Sequence, residues 1–191
     1  SSGGYGALHL ASKYPELCSL AAAIAPDSFF DMSLLPEIYS AFPVLDKYGG
    51  VSGVWKEILA GRFLRRRDAH TVLNAIGMGC CYAPHPQKRG EVEWPMNAKG
   101  ELLISKWKRW KKHDPIEFLP KRLSQLKKLQ RIYLDVGVRD QYHLQFGARQ
   151  IANVFKKNKI PHDYVEFEGS HFDIGERRPY VWTWLQNQWA E

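Results

Sequence analysis

Three polar residues far apart in the chain have the types that nucleophilic catalysis needs. They are Ser1, opening Ser1-Ser2-Gly3-Gly4-Tyr5-Gly6-Ala7-Leu8, Asp140, ending Gly137-Val138-Arg139-Asp140, and His171, ending Gly169-Ser170-His171. A serine hydroxyl is a weak nucleophile until a base takes its proton, and an imidazole serves as that base once a carboxylate fixes its tautomer. The small residues after Ser1 suit a tight strand-to-helix turn, where a strained backbone and crowding neighbours leave little room for side chains. In such a turn the amide of Ser2, one residue past the nucleophile, is a donor for the developing oxyanion. Glycine-rich helix starts also cradle phosphate, but neither a P-loop Lys-Ser/Thr nor a G-x-G-x-x-G is present.

The three residues need elements to carry them. Gly4 to Tyr14 reads as a helix with Ala7, Leu8 and Ala11 on one face and Pro15 just beyond its end. Ser19 to Ala25 is a continuous apolar run bounded by Pro26-Asp27, the pattern of a strand buried on both faces of a parallel sheet. Arg131 to Val136 is a second such strand. A helix follows from about Tyr142 to Asn158, its Leu144, Ala148, Ile151 and Phe155 falling on one face. Asp163 to Phe167 reads as a third strand, and Arg178 to Trp189 as a closing helix with Val181, Trp184 and Leu185 inward. This alternation predicts an α/β fold, mostly parallel sheet flanked by helices. Asp140 and His171 then follow directly on strands and emerge at the same carboxyl edge, where open α/β sheets bind ligands.

The long segment between the first two strands, about residues 28–125, breaks this alternation. It holds predicted helices near Gly53 to Leu59 and from Asp68, as N-cap, to Met78, then the Pro-rich stretch Ala83-Pro84-His85-Pro86. It reads as a helical insertion over the sheet edge within a single domain spanning 1–191, and Tyr82, Trp94 and Trp107 are its candidates for lining a substrate pocket.

The chain order serine, aspartate, histidine is that of α/β-hydrolases, unlike the orders of chymotrypsin and subtilisin. Singly, each residue has a plainer reading: a helix cap for Ser1, a turn residue for Asp140, a surface group for His171. Order and element placement together favour a catalytic triad of the three. Asp135 should point along its strand rather than off its end, and His162 should precede its strand.

Composition bounds the rest. The 191 residues are 45% hydrophobic and 25% charged, as in an ordinary soluble domain with one sizeable core. No apolar run approaches the roughly 18 residues of a membrane span, so no membrane partner is expected. Cys18, Cys80 and Cys81 form neither a disulfide framework nor a metal-binding spacing, and no metal or cofactor is expected. The net charge of +7 raises the question of a polyanion partner, as does Lys106-Trp107-Lys108-Arg109-Trp110-Lys111-Lys112. Trp107 and Trp110, three apart, fit one buried helix face with lysines on the solvated side, and no nucleic-acid fold signature accompanies them.

The segment Ser1-Ser2-Gly3-Gly4-Tyr5-Gly6-Ala7 resembles the S-x-G-G-x-G-A elbow of the esterase D-like (putative-esterase) family of α/β-hydrolases. Tyr82-Ala83-Pro84-His85-Pro86, Trp107-Lys108-Arg109-Trp110, His113-Asp114-Pro115, Tyr133-Leu134-Asp135-Val136-Gly137 and Phe167-Glu168-Gly169-Ser170-His171 are similar to stretches of bacterial members. The resemblance implies a serine carboxylic-ester hydrolase working through an acyl-enzyme on a small-molecule ester. It also implies strands before the elbow that this chain does not hold. The expectation is therefore a C-terminal part whose N-terminal half belongs to the same protein or a companion chain, and which does not fold and work alone. An acyltransferase of the same fold, a binding module without turnover, and a hydrolase using the α-amine of Ser1 as base are the rivals. The sequence leaves a homodimer open. It slightly favours the cytoplasm without deciding against export.

Overall fold

Strand β2, Arg131–Gly137, organises the computed structural model, which describes residues 1–189. Its apolar and aromatic residues suit an extended strand, and all but Arg131 are buried. It pairs in parallel with β1, Leu20–Ile24, on one side and with β3, His162–Phe167, on the other. The registers Ile24↔Asp135 and Gly137↔Phe167 bring the carboxyl ends of all three strands to one edge.

The helices, in chain order, are α1 (Ser2–Lys13), α2 (Leu35–Lys47), α3 (Val51–Leu59), α4 (Ala69–Tyr82), α5 (Ile104–Lys111), α6 (Pro115–Phe118), α7 (Leu123–Leu126), α8 (Leu144–Lys157) and α9 (Arg178–Trp189). The chain divides into two compact units, one built from Ser1–Ser33 and the chain from Asp114 onward, the other from Leu34–His113. The second unit is narrower at both ends than the insertion expected from the sequence. Buried Asp114 explains one boundary: its carboxylate accepts the amides of Phe29 at 2.9 Å and Phe30 at 2.7 Å and caps α6 through Ile116, tying 114 onward to the first unit.

In the first unit, alternation along β2 splits the sheet into two faces. Ile132, Leu134 and Val136 join Ala21 and Ala23 of β1, Leu8 and Ala11 of α1, Phe118, and the Leu144, Ala148, Ile151 and Phe155 stripe of α8 in one apolar core. Tyr133 and Asp135 point the other way, where Tyr133 meets Trp184 of α9 and Asp135 meets Arg177. Helices thus cover both faces. Two expectations shift in degree. β1 alternates between buried and half-buried because it is an edge strand with only β2 in its ladder among the described strands, and α9 turns Val181, Trp184 and Leu185 inward without fully burying any of them. His162 is the first residue of β3 rather than a residue before it.

In the second unit, Ala41, Val44, Leu45, Val54, Phe63, Val72 and Ala75 form a separate core. Asp68 does precede α4, but its carboxylate pairs with Arg66 at 2.6 Å instead of capping the helix.

Gly137 lies where the edge is tightest. A Cβ there would stand 2.6 Å from the Gly169 carbonyl oxygen, so only glycine lets the loop after β2 meet the loop after β3. Replacing Gly137 with Ala should cost about 1–3 kcal/mol, read as a lowered unfolding midpoint in urea. Arg177 is also structural: its Nε lies 2.9 Å from the fully buried Asp135 carboxylate. Arg177→Met strands that charge and should cost about 3–5 kcal/mol in the same measurement, whereas a loss under 1 kcal/mol would contradict the pairing.

Candidate active site

The backbone ladder between β2 and β3 runs past the strands into the loops that carry the candidate residues. Val138 donates to Phe167 O at 3.0 Å and Arg139 to Gly169 O at 2.9 Å. Asp140 and His171 therefore leave the sheet side by side. The Asp140 carboxylate is divided in its duties: Oδ1 accepts the Tyr142 amide at 2.9 Å, and Oδ2 lies 2.7 Å from His171 Nδ1. Asp140 is both the turn residue of its plainer reading and the partner of an imidazole. With the proton on Nδ1 shared with Asp140, Nε2 is left as the basic nitrogen.

His171 is held from several sides and is 8% exposed. Its amide donates to the Gln141 side chain at 2.9 Å, and its ring meets Tyr142 edge-on with centroids 4.8 Å apart. It begins a 3₁₀ segment, His171–Arg177, which Ser170 and Asp173 cap reciprocally. Asp173 takes both the amide and the hydroxyl of Ser170, and these bonds hold its carboxyl below the usual carboxylate range. At the far end Arg177 is tied to Asp135. Burial pushes the Asp135 carboxyl up, and its bonds from Arg177 and Tyr133 work against that; burial, reinforced by Asp135, pushes the Tyr133 phenol up to about 12.

Ser1 stands at the N-terminus of α1. It occupies the N-cap position, yet its side chain makes no cap hydrogen bond. Its nitrogen donates to Ile24 O at 2.8 Å, fastening it to the end of β1, and its hydroxyl donates to Asp27 Oδ1 at 3.2 Å. A Cβ at position 4 would lie 2.7 Å from that same Ile24 oxygen, so Gly4 is what lets the first turn of α1 sit there. Ser2, exposed, is the first helical residue, and its amide belongs to the set that helix geometry leaves without an intrahelical acceptor.

Asp27 was passed over in the sequence as a strand boundary. Its signal is the one that marks Asp140, an acid shortly after a buried strand. Beyond β1 the chain bends at Ala25, fully buried at φ 42°, and continues through Pro26 to Asp27, which meets Ser1. An alanine in that left-handed region costs about 1–2 kcal/mol, strain of the kind that collects at functional sites. Burial pushes the Asp27 carboxyl up; the Ser1 hydroxyl and, more weakly, His171 draw it down, and Asp140 adds to the rise. Asp27 Oδ2 is buried without a hydrogen-bond partner. Among the described residues no hydrogen bond joins Ser1 to His171; Asp140 and His171 are directly paired, and the Ser1 hydroxyl is bonded to Asp27.

The three aromatic residues read as pocket candidates lie in the second unit. Tyr82 and Trp107 are buried, and the rings of Tyr82, Trp94 and Trp107 stand 6.0–6.3 Å from that of fully buried Trp110. Tyr82 also stacks on His113, and the Trp94 indole N–H is buried without a partner. Among the described residues no cluster of three or more His, Cys, Asp or Glu is placed to hold a metal ion, and no helix is long and apolar enough to cross a membrane.

No curated protein matches the chain significantly. A solved structure of a ferulic acid esterase aligns with it at 11% identity and a TM-score of 0.47, covering 96% of this chain and 46% of that one, so the chain spans under half of that protein's length. The model of the family described as "Putative esterase" matches residues 1–184, nearly the whole chain, including the Ser1 turn and the Asp140 and His171 loops. The chain belongs to that esterase family.

Proposed function

We propose that this chain carries the catalytic residues of a serine carboxylic-ester hydrolase acting on a small-molecule ester through an acyl-enzyme. The observation that carries the reading is the 2.7 Å hydrogen bond between buried Asp140 and His171, on loops that leave the same sheet edge as Ser1. Family membership supports the ester chemistry.

In this mechanism the Ser1 oxygen attacks the ester carbonyl as its proton passes to His171 Nε2. Asp140 holds the ring's tautomer and stabilises the imidazolium that forms, without taking the proton itself. The Ser2 amide donates to the oxyanion, a contact that strengthens as charge builds on that oxygen. His171 then returns the proton to the departing alcohol, and water, deprotonated by the same nitrogen, cleaves the acyl-enzyme to release the acid.

Hydrolysis of p-nitrophenyl acetate tests each role. Ser1→Ala and His171→Ala should each lower kcat by about 10³-fold or more, and Asp140→Asn by up to about 10⁴-fold through the wrong tautomer. A His171→Ala protein that keeps more than a tenth of wild-type kcat would exclude the triad. Release of p-nitrophenol in a single burst, equal to the protein and followed by slower turnover, is the expected mark of the acyl intermediate.

A further inference from the structure

We propose that Asp27 is a fourth residue of this site, a carboxylate that accepts the Ser1 hydroxyl's hydrogen bond in the resting protein and so holds the nucleophile off His171. The proposal rests on Ser1 being the nucleophile, and it adds a control that the triad alone does not contain.

Three observations carry it. A serine hydroxyl has one hydrogen to donate, and here that hydrogen goes to Asp27 Oδ1 at 3.2 Å, with none going to His171 among the described residues. The other Asp27 oxygen is buried with no donor of its own, so the charge of the carboxylate is not spent elsewhere. The backbone around it is built for the placement: left-handed Ala25 and Pro26 turn the chain, and Gly4 admits the Ser1 turn against the end of β1. A hydrogen bond to a charged carboxylate is stronger than one to a neutral imidazole, so the resting population lies on the Asp27 side. An acyl group reaching Ser1 must draw the hydroxyl across to His171 before attack.

The ionised form of Asp27 is the restraining one. The groups that act on it are the Ser1 hydroxyl and His171, which favour its charge, and Asp140, which opposes it; burial outweighs these and moves its titration upward. As pH falls through that titration Asp27 accepts a proton, its hold on Ser1 weakens, and the restraint is lost.

The test is the second-order rate of inactivation by an alkyl fluorophosphonate, followed across a pH series. In this reaction the Ser1 Oγ–P bond forms as the P–F bond breaks, fluoride departs, and the hydroxyl proton passes to His171 and on to solvent. Asp27→Ala should react about tenfold faster than wild type at neutral pH, the scale of one hydrogen bond to a charged group. The ratio of variant to wild type should fall toward one at acid pH, where wild-type Asp27 is itself neutral. Asp27→Asn, nearly isosteric and therefore a guard against misfolding, keeps an acceptor oxygen without the charge and should give a smaller acceleration with the same pH trend. Near-ultraviolet circular dichroism matching wild type certifies the fold of each variant. Unchanged or slower inactivation in folded Asp27→Asn, or a ratio that does not vary with pH, would overturn the proposal. Ser1→Ala separates the two levels: if it is still inactivated at the wild-type rate, the nucleophile assignment falls and takes this proposal with it. If Ser1 is required and the Asp27 variants are not accelerated, the restraint alone is rejected.

Discussion

The parallel pairing of β2 with β1 and β3 is the constraint on which the site depends. Parallel strands share direction, so the residue after each strand must appear at the same edge, and the registers Ile24↔Asp135 and Gly137↔Phe167 set how far along that edge each one lies. Asp27 follows β1, Asp140 follows β2 and His171 follows β3. A slip of one register position would turn every side chain of the strand to the opposite face, burying Tyr133 and Asp135 in the apolar core. The Arg177–Asp135 pair and the apolar core on the opposite face both resist that slip.

Within this frame the site brings two carboxylates near one imidazole. Asp140 is paired with the ring and fixed by backbone amides, whereas Asp27 is bonded to the serine and has one oxygen unpartnered. Environment divides their roles. The carboxylate already satisfied by donors is suited to orient a base, and the one left with unspent charge is suited to compete for the hydrogen bond of the Ser1 hydroxyl.

Much of this was legible in the sequence, for physical reasons that also mark where legibility ended. The β2 run and the α8 stripe are strongly periodic and mostly apolar, so burial dictates them and their residues can be read off directly. Asp140 and His171 were legible because each ends a strand that could itself be recognised. Helix α2 was missed because Pro36 and Pro43 interrupt the pattern; Pro36 sits in the first turn, where no amide partner is lost, and Pro43 is tolerated inside by a face that packs Ala41, Val44 and Leu45. The Asp68 cap was half right, since local competition from Arg66 for a carboxylate leaves no trace in spacing. The Asp27 contact with Ser1 was not legible because it follows a left-handed alanine, and nothing in the letters Ala-Pro-Asp signals that bend. The boundary at Asp114 was not legible for a similar reason: Asp114 binds amides 84 and 85 residues upstream.

The most direct test of the central claim is an experimental structure of the phosphonylated protein. The account predicts phosphorus bonded to Ser1 Oγ, His171 Nδ1 still paired with Asp140, and His171 Nε2 within about 2.6–3.2 Å of the serine oxygen or the group that replaced the leaving atom. Phosphorus on any other residue, or an imidazole turned away from both Ser1 and Asp140, would contradict it.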